Sequence, residues 1–128
     1  MTILIVEDNP EMRRLLCGLL ADIVEAIFEC EDGAEAPAAY EAHRPDWVLM
    51  DIKMHDADGI EATRQITRTW PAANVAMVTD YDDTQLREAA QLAGAKEYVL
   101  KENLLEIRKI LLGAARPVSN NVTKRSVC

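Results

Sequence analysis

Four apolar runs in this chain each stop at a residue that could handle phosphate. Ile3-Leu4-Ile5-Val6 precedes Glu7-Asp8, Trp47-Val48-Leu49-Met50 precedes Asp51, Val75-Ala76-Met77-Val78 precedes Thr79, and Tyr98-Val99-Leu100 precedes Lys101. If the runs are buried parallel strands, their carboxyl ends share one edge of a sheet, where open α/β folds bind ligands. Three carboxylates, a hydroxyl and an ammonium then converge. Carboxylates hold a hard cation while a lysine and a hydroxyl meet phosphoryl oxygens, so the group suits Mg2+-assisted phosphoryl transfer. Crowded together, Glu7, Asp8 and Asp51 would repel one another and raise and couple their titrations unless a divalent cation neutralised them. An all-oxygen donor set points to Mg2+ or Mn2+ rather than zinc.

Positioning these groups requires strands that alternate with helices. Asn9-Pro10 reads as a helix N-cap followed by proline in the first turn, and Met12, Leu15, Leu16, Leu19 and Ile23 give that helix an apolar face. Val24 to Glu29 is strand-like, and a second helix runs to about His43, starting near Ala36 or distorted there by Pro37. A loop from Ile52 to Gly59 leads into a third helix carrying Ile60, Thr63, Ile66 and Trp70 on one side, closed by Pro71. A fourth strand begins at about Asn74. Asp82 and Gln85 form a capping arrangement for a fourth helix, with Gly94 at its far end. Glu97 to Leu100 is a short fifth strand, and Leu104, Ile107 and Leu111 mark a last helix ending near Ala115. Five strand–helix repeats make a doubly wound parallel α/β sheet the expected architecture.

Composition narrows the function. The 128 residues, 49% of them hydrophobic, suffice for one domain, residues 1–115, and the Pro-, Ser- and Asn-containing stretch 116–128 reads as a flexible tail. A net charge of -8 and a pI near 4.7 argue against direct nucleic-acid binding, which needs a basic face. No apolar stretch reaches the length of a membrane span and no charged leader precedes the first strand, so a cytoplasmic location is expected. Cys17, Cys30 and Cys128 are an odd number without paired spacing, which indicates neither a disulfide framework nor a zinc site. His43 and His55 read as exposed, and Trp47 and Trp70 as packing residues.

Over residues 1–115 the chain resembles a response-regulator receiver domain of two-component signalling. The matching residues are Glu7-Asp8, Asp51 within Met50-Asp51-Ile52-Lys53-Met54, the loop end Asp58-Gly59, Thr79, and Tyr98-Val99-Leu100-Lys101, all in the family's order. The resemblance implies a flavodoxin-like fold of five parallel strands in the order 2-1-3-4-5 with five helices. It implies that Asp8, Asp51 and the backbone carbonyl of Lys53 ligate Mg2+, with Glu7 reaching it through water. It implies further that Asp51 accepts a phosphoryl group from a histidine kinase or histidine phosphotransfer protein. Lys101 would pair with Asp51 and then with the phosphoryl oxygens, while Thr79 and Tyr98 would form the switch. A receiver of this kind takes part in its own phosphorylation and dephosphorylation without being a turnover enzyme. Its output would be a downstream protein partner, a missing output domain, or a phosphorylation-dependent homodimer.

Three positions depart from the family pattern. His55 stands where a proline usually follows the methionine, and Asp80 occupies a usually small position beside the pocket entrance. Glu102 replaces a common proline, a variant that resembles the NarL/FixJ-like branch. Two other readings share parts of the pattern. A Mg2+-dependent phosphatase of the haloacid-dehalogenase type needs an aspartate two residues after its nucleophile, where this chain has Lys53. A flavodoxin-like binding protein needs a hydroxyl- and glycine-rich phosphate loop, where this chain has the acidic Glu7-Asp8-Asn9-Pro10.

Overall fold

Every strand of the computed structural model is short, and the three central ones are nearly all buried, as their uninterrupted apolar runs require for a sheet covered on both faces. The structure describes residues 1–53 and 58–114. The chain order is β1 (Thr2–Val6), α1 (Pro10–Leu20), β2 (Ala26–Cys30), α2 (Ala36–His43), β3 (Trp47–Met50), α3 (Gly59–Thr69), β4 (Val75–Thr79), α4 (Thr84–Leu92), β5 (Glu97–Leu100) and α5 (Leu105–Ala114). The five strands pair in parallel in the order β2-β1-β3-β4-β5, which is the expected doubly wound arrangement. His55 and the expected tail 116–128, with Cys128, lie outside the described residues.

Side chains alternate across the sheet with a period of two and divide the core. Leu4, Val6, Val48, Met50, Val75 and Met77 face α2, α3 and α4, where Ala36, Tyr40, Ile60, Ile66, Ala90 and Ala93 meet them. Ile3, Ile5, Leu49, Val78 and Val99 face α1 and α5, packing on Leu16, Leu20, Ile107 and Leu111. Each fully buried Leu or Ile contributes about 2 kcal/mol by leaving water, so the two layers supply most of what opposes chain entropy.

Several sequence expectations shift by a residue or a turn. α1 buries Leu16, Cys17 and Leu20, with Met12, Leu19 and Ile23 at the margin, and leaves Leu15 exposed. Sixteen, seventeen and twenty share one stripe of a 3.6-residue helix; fifteen lies about 100° off it. β2 starts at Ala26 rather than Val24, because pairing with β1 begins at Thr2 opposite Ala26. The N-cap of α4 is Asp83, which accepts from the backbone N–H groups of Gln85 and Leu86, while Asp82 instead pairs with Arg87 at 3.1 Å. Pro37 sits in the first turn of α2, preceded by a short 3₁₀ turn at Gly33–Glu35, so its missing donor costs nothing. His43 is exposed at the end of α2 and stacks on Phe28 at 3.8 Å.

Candidate phosphoryl-transfer site

Strand parity brings three of the charged groups together. Glu7 follows Ile5, Asp51 follows Leu49 and Lys101 follows Val99, so all three continue the face that packs on α1 and α5. The register pairs Val6 with Met50, which sets Glu7 beside Asp51, and the Asp51 amide donates to the Val6 carbonyl at 3.0 Å. Lys101 begins a 3₁₀ turn directly after β5, and its side chain is only 11% exposed. Its Nζ lies 3.0 Å from Glu7 Oε1, 3.4 Å from Asp51 Oδ2 and 4.0 Å from Asp80 Oδ2. The lysine therefore bridges the carboxylates and stands nearer Glu7 than Asp51, the partner expected from the resemblance.

Burial sets the electrostatics. Glu7 is 2% exposed and Asp51 5%. Loss of water and the neighbouring Glu7 charge push the Asp51 carboxyl up to about 7, against the lowering pull of Lys101. Burial alone would lower the Lys101 ammonium, but its hydrogen bond to Glu7 and the charge of Asp51 hold it above its ordinary value. Glu7, Asp8 and Asp51 each offer a carboxylate oxygen, and these oxygens lie within 4.8 Å of one another. A hard divalent cation fits this donor set, because one ammonium does not balance three carboxylates and Asp51 keeps a raised pKa.

The loops around the cluster are fixed by their backbones. Asn9 Oδ1 caps α1 by accepting from the Glu11 and Met12 amides, and the Asn9 amide donates to Glu7 Oε2 at 3.1 Å. After β3, the Lys53 backbone forms an antiparallel bridge with Asp58, and Asp58 Oδ1 caps α3 on the Ile60 amide. Gly59 donates its N–H to the Ile52 carbonyl, and a Cβ there would fall 1.8 Å from the Asp51 carbonyl oxygen. A glycine at position 59 is thus required by its close approach to the Asp51 backbone.

On the β4–β5 side the groups are held differently. Thr79 is fully buried, and its hydroxyl accepts from the Tyr81 amide at 3.2 Å. The Tyr98 hydroxyl donates to the Tyr81 carbonyl at 2.7 Å, and the Arg87 guanidinium lies over the Tyr98 ring at 4.3 Å. Lys53 Nζ stands 5.1 Å from the centre of the Tyr81 ring. Tyr81, Arg87 and Arg13 were not singled out from the sequence. The signal for Tyr81 is its place two residues after Thr79, and for Arg13 its place one turn into the helix that leaves Glu7-Asp8.

Comparison with known proteins agrees with this geometry. The response regulator receiver domain family matches residues 3–111. The chemotaxis protein CheY of Halobacterium salinarum is 38% identical over 99 residues, covering 77% of this chain and 82% of that protein. A LuxR-family two-component response regulator from Aurantimonas has a TM-score of 0.77 at 29% identity, covering 98% of this chain and 88% of its own. The CheX–CheY–BeF3–Mg2+ complex from Borrelia burgdorferi has a TM-score of 0.78 at 25% identity, covering 88% of this chain and 87% of that one. Other relatives are longer, and the chain spans 54% of two of them and 28% of a third. With the strand order, the acidic cluster and the lysine in place, the chain belongs to the response-regulator receiver family.

Proposed function

We propose that residues 1–115 act as a phosphoacceptor that takes a phosphoryl group on Asp51 and changes the surface it offers to a partner. The observation that carries this reading is the meeting of Glu7, Asp8, Asp51 and Lys101 at the ends of β1, β3 and β5, with Glu7 and Asp51 buried. A carboxylate oxygen of Asp51 attacks the phosphorus of a phosphohistidine, the P–N bond breaks, and the released imidazole keeps the electron pair. Asp8, Asp51 and the Lys53 carbonyl would hold Mg2+ or Mn2+, with Glu7 acting through water. When bound, that ion neutralises charge developing on the phosphoryl oxygens. Lys101 moves from Glu7 and Asp51 to those oxygens as a compact charge on a flexible stem, and the Thr79 hydroxyl binds another. Tyr98 follows Thr79 through Tyr81, which touches both.

The donor in this reading is a histidine kinase or a histidine phosphotransfer protein in the cytoplasm, and the chain is a signalling component rather than a turnover enzyme. Among the described residues no helix is long and apolar enough to cross a membrane. Output passes through a downstream protein or a phosphorylation-dependent homodimer. Leu105 and Leu112 on α5 are 66% and 51% exposed and give such a contact an apolar seam. The test is incubation with acetyl phosphate with and without Mg2+. One acyl phosphate on Asp51, lost in Asp51→Asn and on chelation, supports the reading; labelling that survives either change defeats it.

A further inference from the structure

The Glu7–Asp8 peptide is gripped by an arginine that belongs to neither the acidic cluster nor its strands. Arg13 Nη1 donates to the Glu7 carbonyl oxygen at 2.7 Å, and its Nε lies 3.3 Å from Glu29 Oε1 on β2. The arginine side chain is only 16% exposed. The Glu7 amide donates to the Cys30 carbonyl at 3.0 Å, so β2 holds one side of Glu7 while α1 holds the other. Glu29 and Cys30 are adjacent, which makes the anchor of the guanidinium and the anchor of the strand end a single piece of β2. The Arg13 amide also closes the first turn of α1 on the Asn9 carbonyl, and the Asn9 amide reaches Glu7 Oε2.

We propose that Arg13 is a positioning residue for the cation site: by fixing the peptide plane between Glu7 and Asp8, it aims the Asp8 carboxylate at the position shared with Asp51. The proposal rests on the reading of Glu7, Asp8 and Asp51 as a Mg2+ site. A carbonyl hydrogen-bonded to a guanidinium cannot rotate without breaking a charge-assisted bond, so the direction of the N–Cα bond on which Asp8 is built is fixed as well. The planar fork of arginine allows one nitrogen to serve the carbonyl while another serves Glu29, which the single ammonium of a lysine cannot do from the same place. Its positive charge also offsets part of the field of the carboxylates before the cation arrives. Groups that orient metal ligands without touching the metal typically change affinity by about 10- to 100-fold when removed.

The test is Mg2+ titration of wild type, Arg13→Ala, Arg13→Lys and Glu29→Gln, read from backbone amide spectra, with the metal-free unfolding midpoint of each. In Arg13→Ala the Mg2+ dissociation constant should rise about tenfold, and the amides of Asp8 and Asn9 should move in the metal-free spectrum. Arg13→Lys, which keeps a donor for the carbonyl, should recover part of the affinity, and Glu29→Gln should weaken binding less than Arg13→Ala. Wild-type affinity in a folded Arg13→Ala overturns the proposal while leaving the metal site intact. If Arg13→Ala does not fold, wild-type affinity in both other variants overturns it equally. A lower unfolding midpoint with unchanged affinity assigns Arg13 to stability alone. Absence of any Mg2+-dependent shift at Asp8 and Asp51 in wild type removes the metal site and the proposal together.

Discussion

At the ends of β1 and β3, Glu7 and Asp51 are buried among fixed partners: Lys101 bridges them, the Asn9 amide caps one, and backbone bonds hold both strand ends. At the ends of β4 and β5, Tyr81 is 45% exposed and Tyr98 is held by one hydrogen bond and an arginine lying on its ring. The first region can sustain a charge imbalance because its geometry is over-determined. The second meets it where Lys53 lies over the Tyr81 ring and Asp80 stands beside Lys101, and it can rearrange when such contacts change, since surface contacts of this kind contribute only about 1 kcal/mol each. In the proposed function, chemistry occupies the rigid region and response the loosely held one.

Breaking the connection between the regions should give the largest effect. Thr79→Ala and Lys101→Arg should keep measurable phosphorylation of Asp51, since nucleophile and metal ligands remain, and should lose most of the spectral change on α4, β5 and α5 with beryllofluoride. Wild-type-sized changes in both variants would remove Thr79 and Lys101 from the switch. The Thr79 variant should also cost about 1 kcal/mol of stability through the lost acceptor for the Tyr81 amide.

Next comes the charge imbalance of the rigid region. Asp51 is raised from 3.8 to about 7 in the folded protein, first by burial and then by Glu7. Between those values the native state holds a proton that the unfolded chain has released, so metal-free stability should be highest below this window and fall as pH rises through it. Mg2+ should restore stability most at the upper end, where Asp51 is ionised. Asp51→Asn should flatten the slope; an equal slope in that variant would place the titration elsewhere.

Much of the rigid region was legible because it depends on strand ends. An apolar run that stops at a charged residue marks a strand end, and the shared edge of a parallel sheet brought Glu7, Asp51 and Lys101 together before any register was known. The loosely held region was legible at Thr79, which ends an apolar run, and at Tyr98, where the family resemblance named it. Tyr81 acts through its backbone N–H and carbonyl, which carry no sequence signal. Arg13 was missed for a related reason: its target is a carbonyl, and nothing in residue spacing shows where a carbonyl points. The α1 face and the α4 cap were each misplaced by one residue, because neighbouring leucines and neighbouring aspartates offer the same chemistry and only packing decides between them.

Two smaller effects sharpen the contrast at its edges. Leu105→Glu/Leu112→Glu should abolish any beryllofluoride-dependent increase in sedimentation or partner binding without altering the acidic site; identical monomers and unchanged partner binding would eliminate the α5 seam. Asp80, 71% exposed with its carboxylate 4.0 Å from Lys101, adds negative field at the mouth of the pocket. Asp80→Ala should therefore be phosphorylated modestly faster by acetyl phosphate, with the difference shrinking as salt screens it. An unchanged rate in a variant of unaltered stability would show that Asp80 exerts no such gate.

The most direct measurement is a stepwise titration of the wild-type protein, Mg2+ first and beryllofluoride second, followed at the amides of both regions. Mg2+ alone should move Asp8, Asn9, Asp51 and Ile52 while leaving Tyr81, Arg87 and Tyr98 in place. Beryllofluoride should then move Thr79, Tyr81 and Tyr98 together, at one apparent affinity. Beryllofluoride shifts confined to the ends of β1 and β3, or movement of Tyr98 on Mg2+ alone, would contradict the division between a rigid chemical region and a separate, phosphoryl-driven response.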